Sequence, residues 1–466
     1  MSQPAGKQIR LPEVSDGQMT PTRLFEPVAR PGLARTGPPS LSRSEIENIG
    51  DFLPYLSYSG TELAVCGIPV TRLWDGSHPM LLYLPERAVE NYHSIRAAFE
   101  RYFDVSVYCA IKTCYMAGML SALEAEGAGA EIASDFEWRI ARRMGFPPER
   151  TVANGVCRSA RHLDRLLSDE ALLIDIDNEE ELERSEWHAR RAGLKPQIMV
   201  RVNPLPPDAY FSERSKLGAT WDAAYQLLDR AARSSHLDLR GLHAHQLTRC
   251  ADPEQFAGLA RETGELAHAF ATSSGTRLEI LDLGGGLESR FALERACHPI
   301  GDFAAAAREA LAGMGGIHLL LEPGRYIFGD AALVLTAVLG AKHKAGEDWL
   351  ITDVGCNVLP ATSDRAYPAL PLRLAAGETW QHCHVADGTC SPSRLYLDAV
   401  LPADAAAHGL ALIGCGAYTA VRASLWGTDL PDFALLSGGR AVNVFDRSDQ
   451  DAAVRHLYGV DLDGSG

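Results

Sequence analysis

Residues 105–127 read VSVYCAIKTCYMAGMLSALEAEG. The opening part is a β-type run, with apolar, β-branched Val105, Val107 and Ile111, and it carries Lys112 at its far end. Met116, Met119, Leu120 and Leu123 then recur at i, i+3, i+4 and i+7, the spacing of one buried helical face, and Gly127 stops the pattern. The stretch is therefore a strand feeding a helix, and the unit repeats. Apolar β-type runs lie at 106–112, 131–134, 151–156, 172–176, 197–203, 239–245, 278–283 and 317–322, and helical patterns separate most of them. Ser134-x-x-Glu137 makes a capping box, Gly145 and Pro147 close the helix that follows, and Trp221, Tyr225 and Leu228 begin another stripe. Eight strands alternating with helices predict an α/β fold, a (β/α)8 TIM barrel over 106–330. An open, doubly wound sheet satisfies the same strand count.

Outward from the barrel the character changes. Residues 1–40 are rich in proline and glycine without a sustained apolar period, which predicts a flexible N-terminal arm. Residues 41–105 hold a capped short helix (Ser42-x-x-Glu45), strand-like pieces at 63–66 and 80–84, and helical spacing over 86–102. This segment is expected to lead into the barrel and to lend its strands to a second domain. Residues 331–466 show short alternating runs at 331–340, 348–353, 379–386, 410–415 and 433–437, the pattern of a C-terminal all-β domain.

The net charge of −16 argues against nucleic acid or an anionic membrane as partner. No apolar run approaches the ~20 residues that span a bilayer. Ten scattered cysteines without framework spacing read as reduced thiols in a cytoplasmic protein. No metal site is expected. In His382-Cys383-His384 an alternating strand puts the two histidines on one face and Cys383 on the other, which suits a packed core better than a metal.

Barrel enzymes carry their chemistry at the carboxyl ends of the strands. Here those ends hold Lys112, then Gly241-Leu242-His243-Ala244-His245, Asp282-Leu283-Gly284-Gly285-Gly286 and Glu322-Pro323-Gly324-Arg325. A poorly solvated lysine on a rigid element has a lowered pKa and attacks aldehydes; the bland alternative is a lysine that closes a strand and reaches water. Three glycines after a strand let N–H groups approach an oxyanion, and Arg325 adds a bidentate donor, although a tight turn and a surface ion pair explain each feature separately. Glu322 ends an apolar strand, so its carboxylate needs a partner: a protonated pyridine nitrogen or an internal cation. His245, with His243 two residues before it, can stack on a flat ring or be a satisfied core histidine. Together these residues have one economical explanation, pyridoxal phosphate on a barrel.

The same residues resemble a known family. Tyr-x-x-Lys on the first strand, Gly-Leu-His-x-His, Asp-Leu-Gly-Gly-Gly, Glu-Pro-Gly-Arg, Gly-Thr-Cys and Gly-Ala-Tyr-Thr, in this order between about 60 and 445, are similar to the ornithine/diaminopimelate/arginine decarboxylases of the alanine-racemase-like group. The resemblance implies that Lys112 holds the aldehyde of pyridoxal 5'-phosphate, that His245 stacks on the ring and that Glu322 bonds its nitrogen. It implies that Gly285, Gly286, Gly324, Arg325 and Tyr418 surround the phosphate, with Thr248 keeping a hydroxyl contact. Glu131 falls near the ring, and Arg201 and Lys216 at supporting positions. It further implies a homodimer with shared active sites, in which Cys390 of one subunit reprotonates the carbanion formed in the other after CO2 is lost.

Three departures bear on the amino-acid substrate. An acidic residue follows the cysteine in amine-forming relatives, whereas Cys390 is followed by Ser391, with Arg394 close behind. Asp353 lies where the family keeps a substrate-facing aspartate, and Gln246-Leu247-Thr248 replaces a glycine–serine pair. The expectation is a decarboxylase for a specialised diaminopimelate- or ornithine-like substrate, in secondary metabolism, with Arg394 meeting a distal carboxylate or standing as a rim charge. A racemase on the same fold and a catalytically silent regulatory homologue are the alternatives. Racemases of the group pair the ring nitrogen with arginine, which Glu322 opposes.

Overall fold

A computed structural model describes residues 40–203, 216–360 and 366–462. The predicted arm lies, but for Ser40, outside the described residues. Eight strands form the expected cylinder: β1 (Asp104–Ala110), β2 (Gly129–Ile132), β3 (Thr151–Ala153), β4 (Leu173–Ile176), β5 (Gln197–Arg201), β6 (Asp238–His243), β7 (Ile280–Asp282) and β8 (His318–Leu321). They close in chain order, with β8 pairing β1 in parallel, which removes the open-sheet alternative. Closure leaves no unpaired edge, and the helices bury the outer face.

Two boundaries differ from the sequence reading. Helix Pro85–Glu100 packs between Ile300–Ala310 and Ala117–Ala125, so the outer ring is completed by a helix that precedes β1. The barrel therefore begins at Pro85 rather than 106. Strand β1 ends at Ala110, and Lys112 sits on a 3-10 turn, Ile111–Thr113, just beyond it.

The β part consists of a six-stranded and a four-stranded sheet. Strand Met80–Tyr83 lies inside the six-stranded sheet, antiparallel to Ala332–Thr336 and parallel to Asp432–Ser437, as expected of an early strand lent to the second domain. Glu62–Val65 instead pairs with Leu56–Ser59 and Ile68–Pro69 in a small sheet of its own. The sequence reading missed the strands Ala369–Pro371, Arg394–Pro402 and Arg440–Phe445 and the final helix Arg447–Tyr458. The face that His382 and His384 were expected to share does not exist. A bulge between Cys383 and Val385 breaks the alternation, so His382 is exposed while Cys383 and His384 are both buried.

Candidate active site

Along the barrel interior the sequence writes two tiers. Tyr108, Val152, Leu173, Met199 and Leu320, with Ile280 against them, fill the lower one. The glycines of β2 and β6 make room there: a Cβ on Gly129 would stand 2.2 Å from the Tyr108 ring, and one on Gly241 would stand 2.8 Å from Cβ of Ile280. Side chains alternate along a strand, so the residue two positions further points inward again. Those residues are Ala110, Glu131, Asn154, Asp175, Arg201, His243, Asp282 and Glu322, and all are buried. One polar ring thus floors the carboxyl end of the barrel. Asn154 and Asp175 escaped the sequence reading, and Asp282 was quoted in its motif without a role, because polar residues inside short strand runs do not announce which face they take. The step of two from an inward apolar residue is the signal that finds them.

Above this floor lies a cavity of about 420 Å³, lined among others by Lys112, Glu131, Arg201, His245, Thr248, Gly286, Glu322, Gly324, Arg325 and Tyr418. Lys112 Nζ pairs with the buried Glu131 carboxylate. Burial opposes the lysine's charge, but Glu131, Tyr418 and Glu322 outweigh it and hold its pKa above the ordinary value. This corrects the expectation of a lowered pKa, which counted burial and not the carboxylates of neighbouring strands. Attack on an aldehyde then needs a proton to leave Nζ, and Glu131 is in contact to accept it.

Glu322 is 1 % exposed and accepts both hydrogen bonds of a fork from Asn154 Nδ2, at 2.7 and 2.9 Å. Asn154 also reaches Glu131, at 3.2 Å. Burial and then the Asp282 carboxylate push the Glu322 pKa well above the usual range, while His243 and Lys112 pull it down. Burial likewise pushes Asp282 up to about 7, against the N–H of Gly284. His245 Nδ1 accepts the N–H of Gly285 at 3.1 Å. Burial, Arg201 and Lys112 hold the pKa of His245 well below its ordinary value, so its ring is a neutral surface over the floor. His243 is fully buried and edge-on to His245, 6.3 Å between centroids, so it does not share a stacking role.

The glycine triplet divides its work. Gly284 donates to Asp282 and Gly285 to His245, so Gly285 supports the histidine rather than facing the cavity. Gly286 faces the cavity with φ +85°, and a Cβ there would stand 2.2 Å from the Leu247 carbonyl oxygen. Arg325 lies over the Tyr418 ring at 5.4 Å and within 3.6 Å of Glu288. Tyr418 has φ +61°, uncommon without glycine, and its N–H donates to Thr113 O at 2.9 Å. That bond fastens the β part to the turn bearing Lys112. Gln246 Nε2 donates to Val202 O at 2.9 Å, which anchors the altered loop and leaves Thr248 at the cavity rim.

Besides Gly285, five expected residues do not join this cavity within one chain. Asp353 accepts from Thr336 Oγ1 at 2.5 Å and Ala337 N at 3.1 Å, so its carboxylate braces a strand end and is not placed as a substrate-facing group. Cys390 is exposed, Ser391 Oγ donates to Ser393, and neither they nor Arg394 line the cavity. Lys216 is exposed and outside it as well. Leu217, Arg249, Tyr367 and Arg422 do line it and were not anticipated there.

The residues fit pyridoxal phosphate. A buried carboxylate at the cavity floor, whose charge His243 and Lys112 favour, matches a protonated ring nitrogen. Among the described residues Arg201 Nε and Thr113 Oγ1 are buried without hydrogen-bond partners at or beside the cavity. Gly286, Gly324 and Arg325 form a small-residue, cationic rim suited to a phosphate. Barrel and site together define an enzyme of the pyridoxal-phosphate class.

Comparison with known proteins makes the class specific. Residues 86–329 match the family "Pyridoxal-dependent decarboxylase, pyridoxal binding domain". The chain is 31% identical over 317 residues to the diaminopimelate decarboxylase of Pseudomonas aeruginosa, covering 65% of this chain and 74% of that protein. It is 28% identical over 321 residues to that of Aquifex aeolicus, covering 67% and 75%. Its fold is that of the diaminopimelate decarboxylase from M. jannaschii (TM-score 0.79, 21% identity, 86% of this chain and 98% of that one). It is also that of a lysine/ornithine decarboxylase from Vibrio vulnificus (TM-score 0.64, 20% identity, 85% and 99%). The chain belongs to the pyridoxal-dependent decarboxylases: it is an amino-acid carboxy-lyase whose cofactor is pyridoxal phosphate.

Proposed function

We propose that the substrate is a diaminopimelate-like amino acid with an anionic distal group, and that the working unit is a homodimer. The observation that carries the substrate reading is the charge of the cavity wall. Arg201, Arg249, Arg325 and Arg422 line it with Lys112, while the only carboxylates lining it among the described residues, Glu131 and Glu322, belong to the floor. A cofactor phosphate engages Arg325 and part of this excess. A distal carboxylate suits the remainder, and a distal ammonium with no carboxylate beside it meets repulsion, with no acidic residue after Cys390 to offset it. The named activity of the Pseudomonas and Aquifex relatives supports the same choice.

When bound, the protonated pyridine ring withdraws the electron pair left as CO2 departs. Glu322 holds that ring's proton, Asn154 orients Glu322, His245 covers one face, and Glu131 takes the proton that Lys112 must lose. A proton must then return to the substrate carbon. Cys390 is exposed on the β part, and Leu339 beside Gly388 is 67% exposed. An exposed apolar residue next to an exposed thiol suits an interface that delivers Cys390 to the partner's cavity. Among the described residues no helix is long and apolar enough to cross a membrane. All ten cysteines are free thiols, which supports a cytoplasmic setting.

Measuring CO2 release from diaminopimelate, ornithine, lysine and arginine tests the reading. Turnover of diaminopimelate is expected, with KM raised at least about tenfold in Arg422→Met, the loss of one charge-assisted contact. Turnover confined to ornithine or lysine would overturn it.

A further inference from the structure

Glu322 is one end of a buried chain of three ionisable side chains. Asp175 Oδ2 lies 2.9 Å from His243 Nδ1. His243 Nε2 lies 3.7 Å from Glu322 Oε2, and neither of these two side chains is more than 1 % exposed. Asp175, at 0 % exposure, does not line the cavity, so it cannot act on substrate directly. The three come from β4, β6 and the residue just past β8, and share the upper tier of the barrel. Among the described residues, His243 Nε2 has no hydrogen-bond partner other than what Glu322 offers at that separation.

We infer that Asp175 and His243 are positioning residues: a buried relay that decides which member of the Glu322–His243 pair holds their shared proton. Two arrangements conserve that proton. In one, Glu322 is a carboxylic acid facing the lone pair of Nε2, and His243 is neutral with its hydrogen on Nδ1. In the other, the proton has passed from Glu322 Oε2 to His243 Nε2, leaving a carboxylate and an imidazolium. The Nδ1–H bond to Asp175 exists in both, but the charge on Asp175 favours only the second. A carboxylate at 322 pairs with a protonated ring nitrogen, and a carboxylic acid does not.

The surroundings show why such a device matters. Asp282 on β7 and Glu131 on β2 oppose a charge on Glu322, and Lys112 beyond β1 favours it. Asn154, just past β3, donates to both oxygens whatever their charge. His245 stands 4.0 Å away with Nδ1 engaged by Gly285. Burial and Asp282 both drive Glu322 toward its acid form. The imidazolium supported by Asp175 is therefore the counterweight that the β6 strand supplies.

Only the second of two measurements rests on the pyridoxal-phosphate reading. In the first, 15N NMR of the cofactor-free protein reads the His243 ring, assigned with His243→Gln. Both nitrogens should be protonated in the wild type near neutral pH, and Nε2 should lose its proton in Asp175→Asn. An unprotonated Nε2 in the wild type overturns the relay. The second uses protein loaded with 15N-labelled pyridoxal phosphate. Asp175→Asn should move the ring-nitrogen resonance toward its unprotonated position and lower kcat about tenfold with KM unchanged, and Asp175→Glu should restore both. An unmoved resonance in Asp175→Asn also overturns the relay. If Asp175→Asn does not fold, the wild-type spectrum alone decides. Failure of the wild type to take up the cofactor would sink the family reading and leave the first measurement standing.

Discussion

Asp282 shows how a single buried carboxyl couples pH and stability. Its pKa is pushed up to about 7 from an ordinary 3.8, by burial. A raised acid binds its proton more tightly in the folded than in the unfolded chain, so stability falls as pH rises from about 4 to about 7. At about 1.4 kcal/mol per unit the loss is on the order of 4 kcal/mol. Without cofactor, the wild type should have a higher urea midpoint at pH 5 than at pH 8, and Asp282→Asn should flatten that difference. Equal slopes in the two proteins would mean that Asp282 is ionised on folding without penalty. At this scale the sequence disclosed the residues that end long apolar strands. Lys112, His245, Glu322, Arg325 and Tyr418 were legible by position and line one cavity. Asp353 was not, because motif position does not reveal that Thr336 and Ala337 occupy its oxygen.

Elements explain why the site sits on rigid ground. In β1 and β2 the large side chain of Tyr108 crosses the space a Cβ at Gly129 would take, with ring atoms 2.2 and 2.4 Å from it. This exchange of bulk for glycine sets how closely the two strands carrying Lys112 and Glu131 approach. Gly129→Ala should destabilise the protein by about 1–3 kcal/mol through overpacking, measured by urea denaturation. The cost should shrink in a Tyr108→Leu background; an undiminished cost would place the strain elsewhere. The eight strands were legible because parallel strands buried on both faces read as apolar runs. The ring-closing helix Pro85–Glu100 was visible as a helix yet assigned outside the barrel, since periodicity gives a helix its buried face and not its neighbours. Likewise the bulge at Cys383 has no local signature, so the expected histidine pair dissolved.

At the scale of the whole molecule, one chain brings Lys112, Glu322 and Arg325 to one cavity, while Cys390 stays outside it. Either Cys390 is idle, or a second copy of the chain carries it to the first. The two cases separate in a mixing experiment. Lys112→Ala and Cys390→Ala should each be inactive or nearly so alone. When they are unfolded, mixed in equal amounts and refolded, about half the dimers are mixed by chance, as expected for a two-fold assembly. Each mixed dimer has one site with both native residues and one with neither. Activity should therefore return to about a quarter of the wild-type value, and sedimentation should report a dimer. Activity that stays at the level of the separate variants would confine every catalytic residue to a single chain. Cys390→Ala with wild-type activity would remove the thiol from the reaction altogether. The sequence could place the cysteine in a motif, but in the proposed homodimer the cavity it serves depends on how two copies meet, which a motif within one chain does not encode.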